Sequence, residues 1–268
     1  MTADGRYARH LGFFGAEGQD RITAAAVMIV GLGGLGVHVA QQLAYLGVRQ
    51  FVLVDGDEVS TSNLNRLIGA GADDVGGPKV EIAKRMIERI QPDATVAVAA
   101  QHFEPELVEL TGAISALFGC VDQDPVRLNL VRFTSVRRVP YIDLASDVAP
   151  GGEFGGRVVF AKDGERCLSC LGELDQHALA RAQMTSEQLD ADDRIYGIDR
   201  GALTGAGPSV VSVNGVVASL AVTEFLVWIT GLREPRGFLN YRGDRATVGS
   251  RADPPRDYCH YCMDLWGT

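Results

Sequence analysis

A chain of 268 residues with net charge −9 and an isoelectric point near 5.1 lacks the basic surface that nucleic acid or an anionic membrane would require. Apolar residues at 46% and charged residues at 22% are ordinary for a soluble globular protein. The opening MTADGRYARH has no apolar signal core and no apolar run reads as a bilayer span, so a cytoplasmic protein without nucleic-acid or membrane partners is expected.

Strand and helix patterns alternate through the first half. Residues 27–30 read as a short apolar strand, 34–46 as a helix stopped by Gly47, and 51–54 as a second strand. Residues 78–90 form a helix with Val80, Ile82, Ala83, Met86, Ile87 and Ile90 on one face and Pro92 beyond its end. A strand at 95–100, a short helix at 105–110, a buried strand at 116–121, a helix at 124–137 and a strand at 140–144 follow. This order predicts an α/β fold: a doubly wound, Rossmann-like, mostly parallel sheet. Beyond it, 157–161 reads as a strand and 174–200 as a polar, acidic, mobile surface segment. Residues 209–230 form a long apolar helix, which Ser212, Asn214, Ser219 and Glu224 mark as a core or dimer-interface helix. A strand pair at 238–248 gives a C-terminal antiparallel extension. One domain, 1–268, is expected, with a nucleotide-binding half at 1–150.

The turn VMIVGLGGLG, from Val27 to Gly36, places Gly31, Gly33, Gly34 and Gly36 between a strand and a helix. Backbone N–H groups there can approach a phosphate. The next strand leads into VDGDEVSTSNLNR, where Asp55 can accept hydrogen bonds from ribose hydroxyls and Asp57, Asn63 and Arg66 follow. Lys79 opens the next helix, and Asp122 ends a later strand whose carboxyl end lies on the same sheet edge. Taken singly, Arg66 and Lys79 read equally well as solvated cations. Together with Asp122 they suit phosphoryl or nucleotidyl transfer, with Asp122 holding Mg²⁺. A nicotinamide-dependent oxidoreductase would leave Arg66, Lys79 and Asp122 without a task.

Of five cysteines, Cys167/Cys170 and Cys259/Cys262 form two C-x-x-C pairs, which favour a structural tetrahedral Zn²⁺ over a redox pair. His260, between the last two, reads as exposed. Cys120 reads as a small core hydrophobe.

These motifs resemble the ThiF/MoeB/HesA superfamily, bacterial relatives of ubiquitin-activating enzymes. The resemblance spans RYARH (Arg6 to His10), GLGGLG, VDGDEV, SNLNR, GPK (Gly77 to Lys79), VDQD (Val121 to Asp124), both cysteine pairs and GPSVVSVNGVVASLAVTE (Gly207 to Glu224). It implies ATP-dependent adenylation of the C-terminal carboxylate of a small ubiquitin-like or sulfur-carrier protein, with release of pyrophosphate. It implies that Gly31, Gly33, Gly34 and Gly36 line the phosphates, that Asp55 holds the ribose, and that Asn63, Arg66 and Lys79 contact the phosphates. Asp122 would bind Mg²⁺, and Arg9 would reach the site of a partner subunit, which makes a homodimer. The half at 151–268 would form a zinc-stapled lobe and bind the carrier protein.

One departure stands out. Many members carry a cysteine in the crossover segment, and residues 174–208 contain none. Either the acyl-adenylate passes directly to an acceptor protein or small nucleophile, or a hydroxyl such as Thr185, Ser186 or Thr204 forms an ester. No activating base is evident for the second route, His177 reading as solvated. A peptide or small-molecule carboxylate is the alternative substrate, and a non-catalytic scaffold the alternative without chemistry.

Overall fold

The computed structural model describes residues 5–104, 112–149, 151–189, 208–251 and 258–267. Eight strands build one sheet: β1 (Ala26–Val30), β2 (Gln50–Val54), β3 (Thr95–Ala99), β4 (Ala116–Gly119), β5 (Tyr141–Val148), β6 (Phe154–Ala161), β7 (Phe238–Arg242) and β8 (Thr247–Ser250). Their order is β3-β2-β1-β4-β5-β6-β7-β8. The first five pair in parallel, and β6, β7 and β8 continue the sheet antiparallel; the parallel half and the antiparallel C-terminal pair match the sequence pattern, which left the direction of β6 open.

Central strands of such a sheet are buried on both faces, so they read as unbroken apolar runs. In β1, Val27 and Ile29 join one core layer and Met28 and Val30 the other. The first layer packs α1 (Ala8–Ala24), α2 (Gly34–Leu46), α3 (Lys79–Ile90) and α7 (Val211–Thr230) on the sheet. The second packs α4 (Asp124–Arg137) and α5 (Leu168–Leu171). Between β1 and β4 the strand order reverses direction, which opens a crevice at their carboxyl ends.

Two expectations need correction, and one helix was not foreseen. By length and composition α7 does pass as a membrane span, with mean hydropathy 1.6. Its packing settles the matter: Val213, Val217, Ala218, Ala221 and Phe225 are buried within the protein, so it is a core helix. The pattern gave no warning of α1, because Gly12, Gly15 and Gly18 dilute its helical signal. It kinks at Gly15 and is held by tertiary packing, with Ile22 fully buried. Finally, the segment beginning at residue 174 starts with an ordered helix, α6 (Gln176–Arg181), capped by Asp175, which accepts the His177 N–H at 2.8 Å. The helix expected at 105–110 and the rest of that polar segment, 190–200, lie outside the described residues.

Candidate active site

At Gly31 the chain leaves β1 with φ of +88°, a region that glycine alone enters without strain. A Cβ there would sit 2.6 Å from the Cys120 carbonyl oxygen. At Gly36 a Cβ would sit 1.9 Å from the Gly31 carbonyl oxygen. Gly36 therefore lets α2 pack onto the turn and does not line the cleft, unlike Gly31, Gly33 and Gly34. That corrects the expectation that all four glycines face phosphate. At Gly33 a Cβ would meet nothing within 4 Å, so this position faces open space. The two glycines should separate in experiment. Gly36→Ala should cost about 3 kcal/mol or more of stability through backbone overpacking. If the cleft takes ATP as the resemblance implies, Gly33→Ala should keep its melting temperature and weaken ATP binding; thermal melts paired with ATP titration calorimetry read both effects.

The cleft encloses about 520 Å³ and lies at the carboxyl ends of β1, β2 and β4. Asp55 follows β2 and is only 9% exposed; its Oδ2 accepts the Leu32 N–H at 2.5 Å and its Oδ1 the Asp57 N–H at 2.8 Å. Burial pushes its carboxyl above the usual range, against the pull of those two N–H groups and of Lys79. Lys79 Nζ donates to Asp57 Oδ2 at 2.6 Å. Asn63 Oδ1 accepts the Ser60 N–H at 3.1 Å and so shapes the SNLNR loop. Arg66 Nη1 donates to the Ser62 carbonyl at 2.7 Å and to Asn65 Oδ1 at 3.1 Å. Asp122 is exposed in the same cleft. The fold thus gathers Gly31, Gly33, Gly34, Asp55, Asp57, Asn63, Arg66, Lys79 and Asp122 around one space. Arg9 is apart, exposed on the first turn of α1.

Sequence reasoning missed several lining residues. Asn214 is 2% exposed; it donates to Ser209 Oγ at 3.1 Å and accepts from Ser146 Oγ at 2.7 Å. Its signal was an amide within an apolar helix. Arg127 lines the cleft too, backed by Asp143, which is fully buried and accepts from Tyr141 Oη at 2.8 Å and Arg157 Nη1 at 2.6 Å. Cys120 lines the cleft as well as touching the core, and burial pushes its thiol far up, away from the reactive thiolate. Among the candidate hydroxyls, Thr185 Oγ1 is engaged in accepting the Gln188 N–H, neither it nor Ser186 lines the cleft, and Thr204 lies outside the described residues.

On the opposite core layer the sulfurs of Cys167, Cys170, Cys259 and Cys262 all lie within 4.8 Å of one another. Three of the pairs are 3.8, 3.7 and 3.4 Å apart. A tetrahedron with metal–sulfur bonds of about 2.3 Å has edges of about 3.8 Å, so the cage fits a four-coordinate ion of zinc's size. Hydrogen bonds from the neighbouring thiols, Cys167 foremost, hold Cys262 down to about 5, whereas burial pushes Cys170 up to about 12. His260 is exposed and hydrogen-bonds Asp264, outside the cage.

The sequence pattern that defines the ThiF family matches residues 7–260. The chain belongs to the ThiF family. Among curated members, molybdopterin-synthase adenylyltransferase of Salmonella typhimurium is 37% identical over 162 residues, 60% of this chain and 64% of that one. The chain thus spans under two thirds of that relative. The HesA protein of Trichormus variabilis is 30% identical over 86% of this chain and 77% of its own. The ThiS adenylyltransferase of Escherichia coli is 28% identical over 87% and 84%. Among solved structures, E. coli MccB with MccA-N7isoASN superposes with a TM-score of 0.77 at 22% identity, covering 97% of this chain and 75% of that one. That likeness is one of fold, and it bears out the expected architecture.

Proposed function

We propose that this ThiF-family chain is an adenylyltransferase that activates the C-terminal carboxylate of a ubiquitin-like or sulfur-carrier protein with ATP. What carries the reading is the single cleft that brings together a glycine turn, a carboxylate on the strand end, two cations and the exposed Asp122. Its support from outside the chain is that relatives are named adenylyltransferases.

In this reading the N–H groups of Gly31, Gly33 and Gly34, at the start of α2, hold phosphate oxygens. Asp55 accepts from the ribose hydroxyls. Asn63, Arg66 and Lys79 contact the phosphates, with Asp57 positioning Lys79. Among the described residues no side chain pairs with Asp122 to compete for its oxygens, and Mg²⁺ favours one or two carboxylates plus phosphate oxygens, so the donor set fits. Mg²⁺ held there supplies charge neutralisation on the phosphates. The substrate carboxylate attacks the α-phosphorus in line, the bond to the β-phosphate oxygen breaks, and pyrophosphate leaves with the electron pair. Arg66 and Lys79 stabilise the developing charge, as does Arg9 of a second copy in a homodimer. A carboxylate is ionised at neutral pH, so no general base is needed. Structural Zn²⁺ on the four thiolates staples the C-terminal part to the middle of one folded unit; four sulfur ligands leave no open catalytic position. Reduced thiols fit a cytoplasmic enzyme.

A second substrate class is compatible with the same site. No cysteine lies between Cys170 and Cys259, so no thioester forms in the crossover; in this reading the acyl-adenylate passes straight to its acceptor, the ester route through a hydroxyl being the other. A peptide carboxylate would suit that chemistry equally.

The test is ATP–pyrophosphate exchange with small ubiquitin-like proteins ending in Gly-Gly, each beside a version lacking the last glycine. Exchange that needs the intact terminus supports the carrier-protein reading. Exchange with peptides alone moves the substrate to the second class, and no ATP binding removes the enzyme reading.

A further inference from the structure

Asp122 is exposed, and among the described residues none holds its side chain in place, yet the proposed role asks it to present an oxygen to a metal with strict octahedral demands. The turn that carries it is held from both sides by one neighbour. Arg127, 9% exposed on the first turn of α4, donates from Nη2 to the Val121 carbonyl at 2.7 Å, immediately before Asp122. From Nη1 it donates to Asp124 Oδ1 at 2.7 Å, two residues after Asp122. Its Nε lies 3.4 Å from Asp143 Oδ1, on the central strand β5. Asp143 is itself fixed by Tyr141 and Arg157. The other oxygen of Asp124 accepts the Asp175 N–H at 2.7 Å, which ties the same turn to the cap of α6.

We infer that Arg127 is a positioning residue for Asp122, clamping residues 121 and 124 to the buried carboxylate of β5 so that the intervening carboxylate is set for a divalent cation. The inference rests on the proposed role of Asp122. A planar guanidinium donates to both ends of the turn in fixed geometry while its charge pairs with Asp143, its Nε making no hydrogen bond among the described residues; an ammonium is a single point charge and cannot span both ends of the turn at once. Outer groups that orient a metal ligand commonly change metal affinity 10- to 100-fold when removed.

The experiment is ATP titration calorimetry, in EDTA and across a Mg²⁺ series, on the full-length wild type, Arg127→Lys, Asp122→Asn and the double variant, with thermal melts alongside. Arg127→Lys should raise the half-saturating Mg²⁺ roughly 10-fold or more while ATP affinity in EDTA stays within about twofold. In the Asp122→Asn background the same change should add nothing, because the two residues act as one unit. If Arg127→Lys does not fold, Asp124→Asn decides, with a smaller rise in Mg²⁺ requirement expected. Equal loss of ATP affinity with and without Mg²⁺ overturns the inference in favour of a general structural role. So does an additive double variant. If Asp122→Asn leaves the Mg²⁺ dependence unchanged, the metal role of Asp122 fails and takes the clamp with it. If Asp122→Asn shifts it and Arg127→Lys does not, the clamp alone fails.

Discussion

Arg9→Ala and Asp122→Ala chains should each be inactive alone and regain roughly a quarter of wild-type pyrophosphate exchange when co-expressed in equal amounts. Arg9 is exposed on α1 and absent from the lining of its own cleft, so a role in catalysis requires delivery from a second copy. Asp122 belongs to the cleft of its own chain. Random pairing makes half of the dimers mixed. In each mixed dimer one site is complete: an intact cleft on the Arg9→Ala chain facing an intact Arg9 on the other. A transition-state cation of this kind is worth about 10³-fold, near 4 kcal/mol, so the singly substituted homodimers should fall close to background. Differential tagging isolates the mixed dimer, whose activity should be about half that of the wild type. A purified mixed dimer with no activity would place Arg9 outside the reaction, and so would an Arg9→Ala homodimer that exchanges normally.

The parts legible from sequence were those with a local signature. The unbroken apolar runs of β1 and β4, the glycine turn and the 3.6-residue periodicity of α3 each follow from short-range rules, and the parallel order follows from their alternation. Two features had no local signature. α1 is a glycine-rich segment held by packing against a helix two hundred residues later, and propensity cannot see that partner. Asp143 and Arg157 look like polar interruptions of strands until the β5–β6 register sets them on adjoining strands near Arg127. Gly36 was misread for a related reason: a motif records that glycine is required, not whether a phosphate or a backbone carbonyl requires it. Charges that act through one another across strands are visible only once pairing is known.

Loss of the zinc proposed for the four-cysteine cage should unfold the C-terminal end of the chain and leave the nucleotide cleft intact at lower temperature. Cys259 and Cys262 are buried in the second core layer with Leu128, Phe133, Tyr141 and Leu168, so this end of the chain contributes to the core of the sheet. The cage closes a long loop, with Cys167 and Cys259 separated by 92 positions. Cross-linking a loop of that length is worth about 4–5 kcal/mol in chain entropy alone. In a chain of this size each kcal/mol moves the midpoint by about 2–4 °C, so a fall of roughly 10 °C or more is expected. Elemental analysis should find one zinc per chain in the wild type and little in Cys259→Ser or Cys262→Ser. Limited proteolysis should then release the segment from residue 258 onward. None of the four cysteines lines the cleft, so ATP should still bind the folded fraction of the serine variants at 15 °C with affinity within about threefold of wild type. Wild-type protein containing no zinc and melting together with its serine variants would show that the four sulfurs pack as an ordinary core cluster. Loss of ATP binding in variants that remain folded would instead tie the metal lobe to the nucleotide site through α4, which carries Arg127 and packs against the lobe.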